Sequence, residues 1–149
     1  MPKIDIEAIE QTNRTGYPAP YAEALAKRHY RRLAPAAGLQ ELGVSHVTLE
    51  PGGISSQRHW HEGEDELVVM IEGEAALVEN EGDTVLRPGD VAAFPRGVAN
   101  GHHLVNRSDR PCIFLAIGRP ADSDCHYPDI DLHLDAAGGR YTHRDGSPY

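Results

Sequence analysis

From Leu42 onward the chain alternates apolar and polar residues with a period of two, interrupted every few residues by Pro, Gly, Asn and Asp. The pattern predicts strands over about 42–49, 55–61, 66–71, 74–79, 83–86, 91–94, 102–107 and 112–118, with turns at PGG, NEGD, RPGD and SDRP between them. Many short strands joined by glycine-rich turns predict an all-β antiparallel sandwich or barrel.

The flanks read differently. Residues 1–20 carry Pro2, Pro18 and Pro20 among scattered polar residues, which predicts an extended arm with at most one short strand around Lys3 to Ile6. YAEALAKRHYRR, from Tyr21 to Arg32, uses strong helix formers and stops short of Pro35. Leu25, His29 or Tyr30, and Leu33 recur at helical spacing, so this stretch predicts a short helix over one end of the barrel, with KRHYRR as its solvated, cationic end. In the tail, Ile130, Leu132 and Leu134 alternate with Asp129, Asp131, His133 and Asp135, as in an edge strand with one solvated face. Three segments result: an arm and short helix over 1–40, a barrel core over 41–120, and an extension over 121–149 packing on the barrel.

The candidate chemistry sits in GISSQRHWHEGEDELVVMIEG, Gly53 to Gly73. Two residues apart on a strand, His59 and His61 face the same side, and the intervening Trp60 and Arg58 face the other. Gly63 lies in a polar loop where the chain can reverse, and Glu66 opens the returning strand beside the imidazoles. Two neutral imidazoles and a carboxylate suit a divalent first-row metal. Gln57 shares their face, placed either to contact a bound ligand or to orient a His.

These residues fill every fixed position of the first motif of the cupin superfamily, G-x5-H-x-H-x(3 or 4)-E-x6-G, which the chain resembles: Gly53, His59, His61, Glu66 and Gly73. GDVAAFPRGVANGHHLVN, Gly89 to Asn106, supplies Gly89, Pro95, Gly97 and Asn106 of the second motif, G-x5-P-x-G-x2-H-x3-N. Asn100 stands where a His is expected, and the imidazoles come later, at His102 and His103. Spacing back from Asn106 favours His102 as fourth ligand and turns His103 away. A shift of register would exchange them, and Asn100 is a weaker alternative. The resemblance spans about Val44 to Gly118 and implies a double-stranded β-helix, the cupin jelly-roll barrel. It also implies one divalent transition metal (iron, manganese, nickel, cobalt or zinc) on His59, His61, Glu66 and His102. SSQRHWHEGEDE, CHYPDIDL and HRDGSPY look like a largely uncharacterised group of small bacterial single-domain cupins, some with sugar-phosphate isomerase-like labels.

Composition narrows the partners. With 23 acidic against 14 basic residues and a formal charge of -9, the chain lacks the basic surface that nucleic acid needs. It has no apolar run of membrane-spanning length and no secretory leader pattern at MPKIDIEAIE, and its two cysteines fit no disulfide framework, so a cytoplasmic setting is expected. Of nine histidines, His29, His46, His126, His133 and His143 read as surface or hydrogen-bonded groups, with His46 placed where it could enter the barrel. The leading expectation is a metal-dependent enzyme of isomerase, lyase or dioxygenase type acting on a small polar or carboxylate-bearing molecule. Gln57 and His103 are the candidates for substrate contact or proton transfer. The alternative is a non-catalytic metabolite-binding or sensor module. The resemblance also implies a homodimer joined through the arm or a sheet edge.

Overall fold

The structure, a computed structural model, describes residues 3–119 and 123–149. Along the chain come β1 (Arg28–Arg32), one helical turn α1 (Leu33–Ala36), β2 (Gly43–Leu49), β3 (Trp60–His61), β4 (Glu66–Glu72), β5 (Ala75–Glu79) and β6 (Gly82–Leu86). Then follow β7 (Val91–Phe94), β8 (His103–Val105), β9 (Cys112–Gly118), β10 (Cys125–His126), β11 (His133–Asp135) and β12 (Arg140–Thr142).

Two walls enclose the interior. One is an antiparallel sheet of order β1-β2-β9-β4-β7. The other is assembled from β6-β5-β8 and β12-β11-β10-β3, which the bridges Ile54↔Val105 and His59↔His102 stitch together. Strand alternation sends Val47, Leu49, Val68, Met70, Ala92, Phe94, Leu104, Cys112 and Phe114 into one core between the walls. Burying each larger side chain of this set contributes roughly 1.5–3 kcal/mol. This is the antiparallel β architecture expected from the period-two pattern, in the jelly-roll form that the cupin resemblance implies. Of the eight expected strands, β7 and β9 coincide with the predicted limits, while the stretch 55–61 is regular only at β3 and otherwise held by single bridges.

Two motif residues fasten the frame. Gly73 turns the chain at φ +69°, and a Cβ there would stand 2.7 Å from the Pro111 carbonyl oxygen, so only glycine fits. Asn106, fully buried, donates to the carbonyls of Leu49 (2.9 Å) and Arg110 (2.7 Å) and accepts from Ser108, which pins the β8–β9 turn.

The N-terminal expectation needs correction. The helix expected over 21–32 is a 3-10 turn at Glu23–Leu25 followed by β1, and an α-helical turn lies later, at Leu33–Ala36. RHYRR also alternates with period two, and pairing with β2 outweighs a modest helical propensity: Arg28, Tyr30 and Arg32 lie opposite Leu49, Val47 and Ser45. The arm forms no strand at Lys3 to Ile6. It makes a 3-10 turn at Ile6–Ala8, then exchanges two hydrogen bonds with β1 between Thr12 and Tyr30.

The tail is corrected too. β11 is no edge strand, because it lies between β10 and β12. Its apolar side packs Leu132 and Leu134 with Cys125, Tyr127, Tyr17 and Tyr141 in a second small core. The polar row is paired: Asp129 with Arg58, Asp131 with His143, and His133 with Asp124.

Candidate metal centre

Glu66 opens β4 in phase with Val68 and Met70, so its carboxylate enters the interior along with the core. His59 and His61 come from the segment facing it, and the bridge His59↔His102 sets His102 beside His59 in phase with Leu104. The result is three imidazole Nε2 atoms around one oxygen. Glu66 Oε2 lies 3.0 Å from His102, 3.4 Å from His61 and 3.6 Å from His59. The donor atoms of His59, Glu66 and His102 all lie within 4.8 Å of one another.

The far nitrogens explain which atoms converge. His59 Nδ1 faces the Gln57 carbonyl at 2.9 Å, and His102 Nδ1 faces the Asn100 carbonyl at 3.1 Å. A carbonyl can only accept, so each Nδ1 carries the hydrogen and each Nε2 turns its lone pair to the centre in the neutral ring. Lone pairs directed at a carboxylate want a cation or a proton between them. Phe94 stacks on the His102 ring at 3.6 Å and fixes its plane.

The electrostatics agree. Burial disfavours a charged Glu66, but with a proton placed between it and the imidazoles, hydrogen bonds from His102, His59 and His61 outweigh that cost and hold the carboxyl far below its usual range. Burial likewise opposes a charged His61, yet its contacts with Cys125 and Glu66 push it up to about 10. His61 Nδ1 is buried and has no hydrogen-bond partner among the described residues, with Glu64 Oε2 at 3.7 Å. Nitrogen and carboxylate donors of this kind, gathered around one point and backed by carbonyls, fit a divalent first-row ion.

Other singled-out residues do not join the donors. Asn100 bonds Glu79 and the Asn80 amide, and His103 Nδ1 faces the Ser56 carbonyl at 2.8 Å, so neither joins Glu66, although His103, expected to turn away, lines the cavity beside the donors. The side-chain amide of Gln57 turns to the Tyr21 carbonyl at 3.4 Å, and the backbone carbonyl of Gln57 is what orients His59. Trp60 stacks on His126 outside the barrel, and His46 lies on the outer side of β2, opposite Arg31.

Cys125, not expected at the site, is paired with His61 in the β3–β10 register, and its sulfur lies within 4.8 Å of the donor atoms of His59 and His61. Nothing local in the sequence signals this, since the pairing joins segments some sixty residues apart. A cavity of about 360 Å3 opens beside the cluster, reached by His59, Glu66 and His102 together with Tyr17, Arg28, Tyr30, Ser45 and Ser56. Of these, Arg28 and Tyr30 would have emerged from reading RHYRR with period two.

Residues 45–118 match the model of the cupin domain. No curated protein matches the chain. Among solved structures, a sugar phosphate isomerase of the cupin superfamily from Silicibacter pomeroyi is 42% identical, with a TM-score of 0.94 over 99% of this chain and 96% of that one. A candidate sugar phosphate isomerase from Acidithiobacillus ferrooxidans is 28% identical, with a TM-score of 0.72 over 77% of this chain and 74% of its own. A polyketide cyclase from Streptomyces resistomycificus, 19% identical with a TM-score of 0.69 over 87% of each chain, shares the fold. With its two motifs set in a jelly roll and a whole-length relative of that superfamily, the chain belongs to the cupins.

Proposed function

We propose that the chain is a metal-dependent enzyme that holds one divalent transition-metal ion on His59, His61, Glu66 and His102 and acts on a small, oxygen-rich molecule in the adjoining cavity. The observation that carries this reading is the convergence of three Nε2 atoms within 3.0 to 3.6 Å of one Glu66 oxygen at the cavity wall. The cavity, about 360 Å3, falls at the small end of the range for small-molecule sites.

When bound, such an ion supplies Lewis acidity toward a carbonyl or carboxylate, or a water acidic enough to ionise near neutral pH. The protein's part is positional. Gln57 and Asn100 carbonyls fix the His59 and His102 tautomers, and Phe94 holds the His102 ring. Of the isomerase, lyase and dioxygenase classes, isomerisation has the best support, from the whole-length likeness to the Silicibacter protein described as a sugar phosphate isomerase. A shared fold alone would not carry that choice.

A homodimer in the cytoplasm completes the reading. Val91 on the edge strand β7 and Ile71 on β4 leave large apolar side chains exposed on the outside, and both cysteines are unpaired. Equilibrium sedimentation is expected to give a dimer at micromolar concentration. Elemental analysis of the purified protein, followed by a metal-supplemented screen of sugar phosphates and hydroxy acids, tests the proposal. It expects one ion per chain and turnover that the His59→Ala, His61→Ala double variant loses. Metal-independent turnover, or ligand binding with no turnover by the loaded protein, would contradict it, the latter pointing to a sensor module.

A further inference from the structure

The cavity beside the donors is lined by Arg28, a cation that no carboxylate among the described residues neutralises. On the outer side of β1, His29 lies 2.7 Å from Glu50 and the Arg31 cation is matched by Glu7 at 2.8 Å. Arg58, outside the barrel, grips Asp129 with two bonds of 2.7 Å. Arg28 faces the other way, into the cavity that holds His59, Glu66 and His102. Among the described residues no carboxylate lies within ion-pair range of it. Its Nη1 donates to the Ser55 carbonyl at 3.0 Å and its Nη2 to the Arg14 carbonyl at 3.2 Å, while Nε is buried with no acceptor among the described residues.

In a chain with 23 acidic residues against 14 basic ones, an interior arginine without a carboxylate has been left unneutralised despite abundant candidates. Guanidinium stays charged throughout the working pH range, so the fold bears a partly desolvated positive charge and a buried N–H donor without an acceptor among the described residues. The surroundings suit an incoming anion. The guanidinium lies 5.0 Å from the centre of the Tyr30 ring, and burial keeps the Tyr17 hydroxyl protonated. Tyr17, Arg28 and Tyr30 also line a second, more open cavity of about 300 Å3, which places them between the outside and the interior.

We propose that Arg28, flanked by Tyr17 and Tyr30, is the anchor for an anionic oxygen group of the substrate, a carboxylate or a phosphate monoester, held in the same cavity as the metal centre. The free Nε–H and the adjacent Nη edge form the planar fork that such groups accept in pairs. Ser55 and Ser56 link the two ends: Arg28 bonds the Ser55 carbonyl, and Ser56 Oγ lies 3.2 Å from His59 Nδ1. The inference rests on the proposed function only for where the rest of the substrate goes, since the anion site itself needs no ion.

Calorimetric titration of the chelator-treated full chain with inorganic phosphate and, separately, with acetate tests it. One of the two is expected to bind at millimolar concentration or better, and which one identifies the group. Arg28→Gln should weaken that binding about tenfold or more, as loss of a charged hydrogen-bond pair does. Should Arg28→Gln melt at the assay temperature, Arg28→Lys, which keeps the charge without the fork, replaces it with the same expected direction. Arg58→Ala, which removes a guanidinium already held by Asp129 outside the barrel, should bind the anion as the parent does. Binding indifferent to both Arg28 substitutions, or no binding of either anion by the parent chain, overturns the inference. Failure of metal binding with Arg28-dependent anion binding intact would instead overturn the metal reading and leave this one standing.

Discussion

The two ends of the cavity are built on opposite principles. At one end His59, His61, His102 and Glu66 bring three titratable nitrogens and a carboxylate to within 3.6 Å, so every charge there has a partner or can gain or lose a proton. At the other, Arg28 offers a permanent charge with no carboxylate within reach among the described residues and one donor unused. The first end can adjust itself to an empty state by protonation. The second cannot, and only a bound anion completes it. A site that must capture a metal and orient an anionic substrate needs both behaviours, one at each end.

Perturbing either end alone sharpens the contrast. The largest effect is expected from His61→Ala, which removes a donor outright. Metal affinity, measured by calorimetry, should fall more than about 100-fold, beyond the loss typical of second-sphere changes. Anion binding by the metal-free chain should persist.

Asn106→Ala touches neither end directly. It strips the buried partner from the Leu49 and Arg110 carbonyls, and a denaturant midpoint should report a loss of about 2–4 kcal/mol. Both ends should weaken together only as the fold itself is lost.

pH separates the ends next. With His61 pushed up to about 10 in the metal-free chain, its extra stability is fully present below the unfolded value near 6.5 and is lost as pH rises through about 10. Metal must displace that proton, so affinity should rise about tenfold from about pH 7 to about pH 8, with one proton released per ion. Titration in two buffers of different ionisation enthalpy counts the proton. Anion binding at Arg28 should lack this steep dependence.

Arg58→Ala provides the smallest change. Arg58 adjoins His59 in the chain but already has its carboxylate, and Asp129 is half exposed. A thermal melt should show a cost of about 0.5–1 kcal/mol, with metal and anion binding unaltered. A strong loss of anion binding in Arg58→Ala would erase the distinction between the two arginines.

The same division marks what the sequence discloses. The donor end is legible because its residues keep fixed spacings along the chain: the i, i+2 pair His59 and His61, Glu66 after a short loop, and His102 held by its distance from Asn106. The strand alternation that puts Glu66 in phase with Met70 also predicts the barrel wall. Arg28 is hidden because RHYRR satisfies two periodicities, and only the edge of β2, which pairs Arg32 with Ser45 and Arg28 with Leu49, decides between them. Cys125 is hidden for a similar reason, since its neighbour His61 is supplied by a pairing between distant segments. Gln57 teaches the converse: its face was readable, but its side chain reaches Tyr21 and its backbone carbonyl does the orienting. Local pattern sets which way a side chain points, whereas long-range pairing sets what it meets.

Anomalous diffraction from crystals soaked in manganese tests the central claim most directly. A single strong peak is predicted between Glu66 and the Nε2 atoms of His59, His61 and His102, within about 2.0–2.3 Å of each donor after small adjustments. A peak elsewhere, or a featureless map at this cluster in crystals that have taken up the metal, would contradict the account.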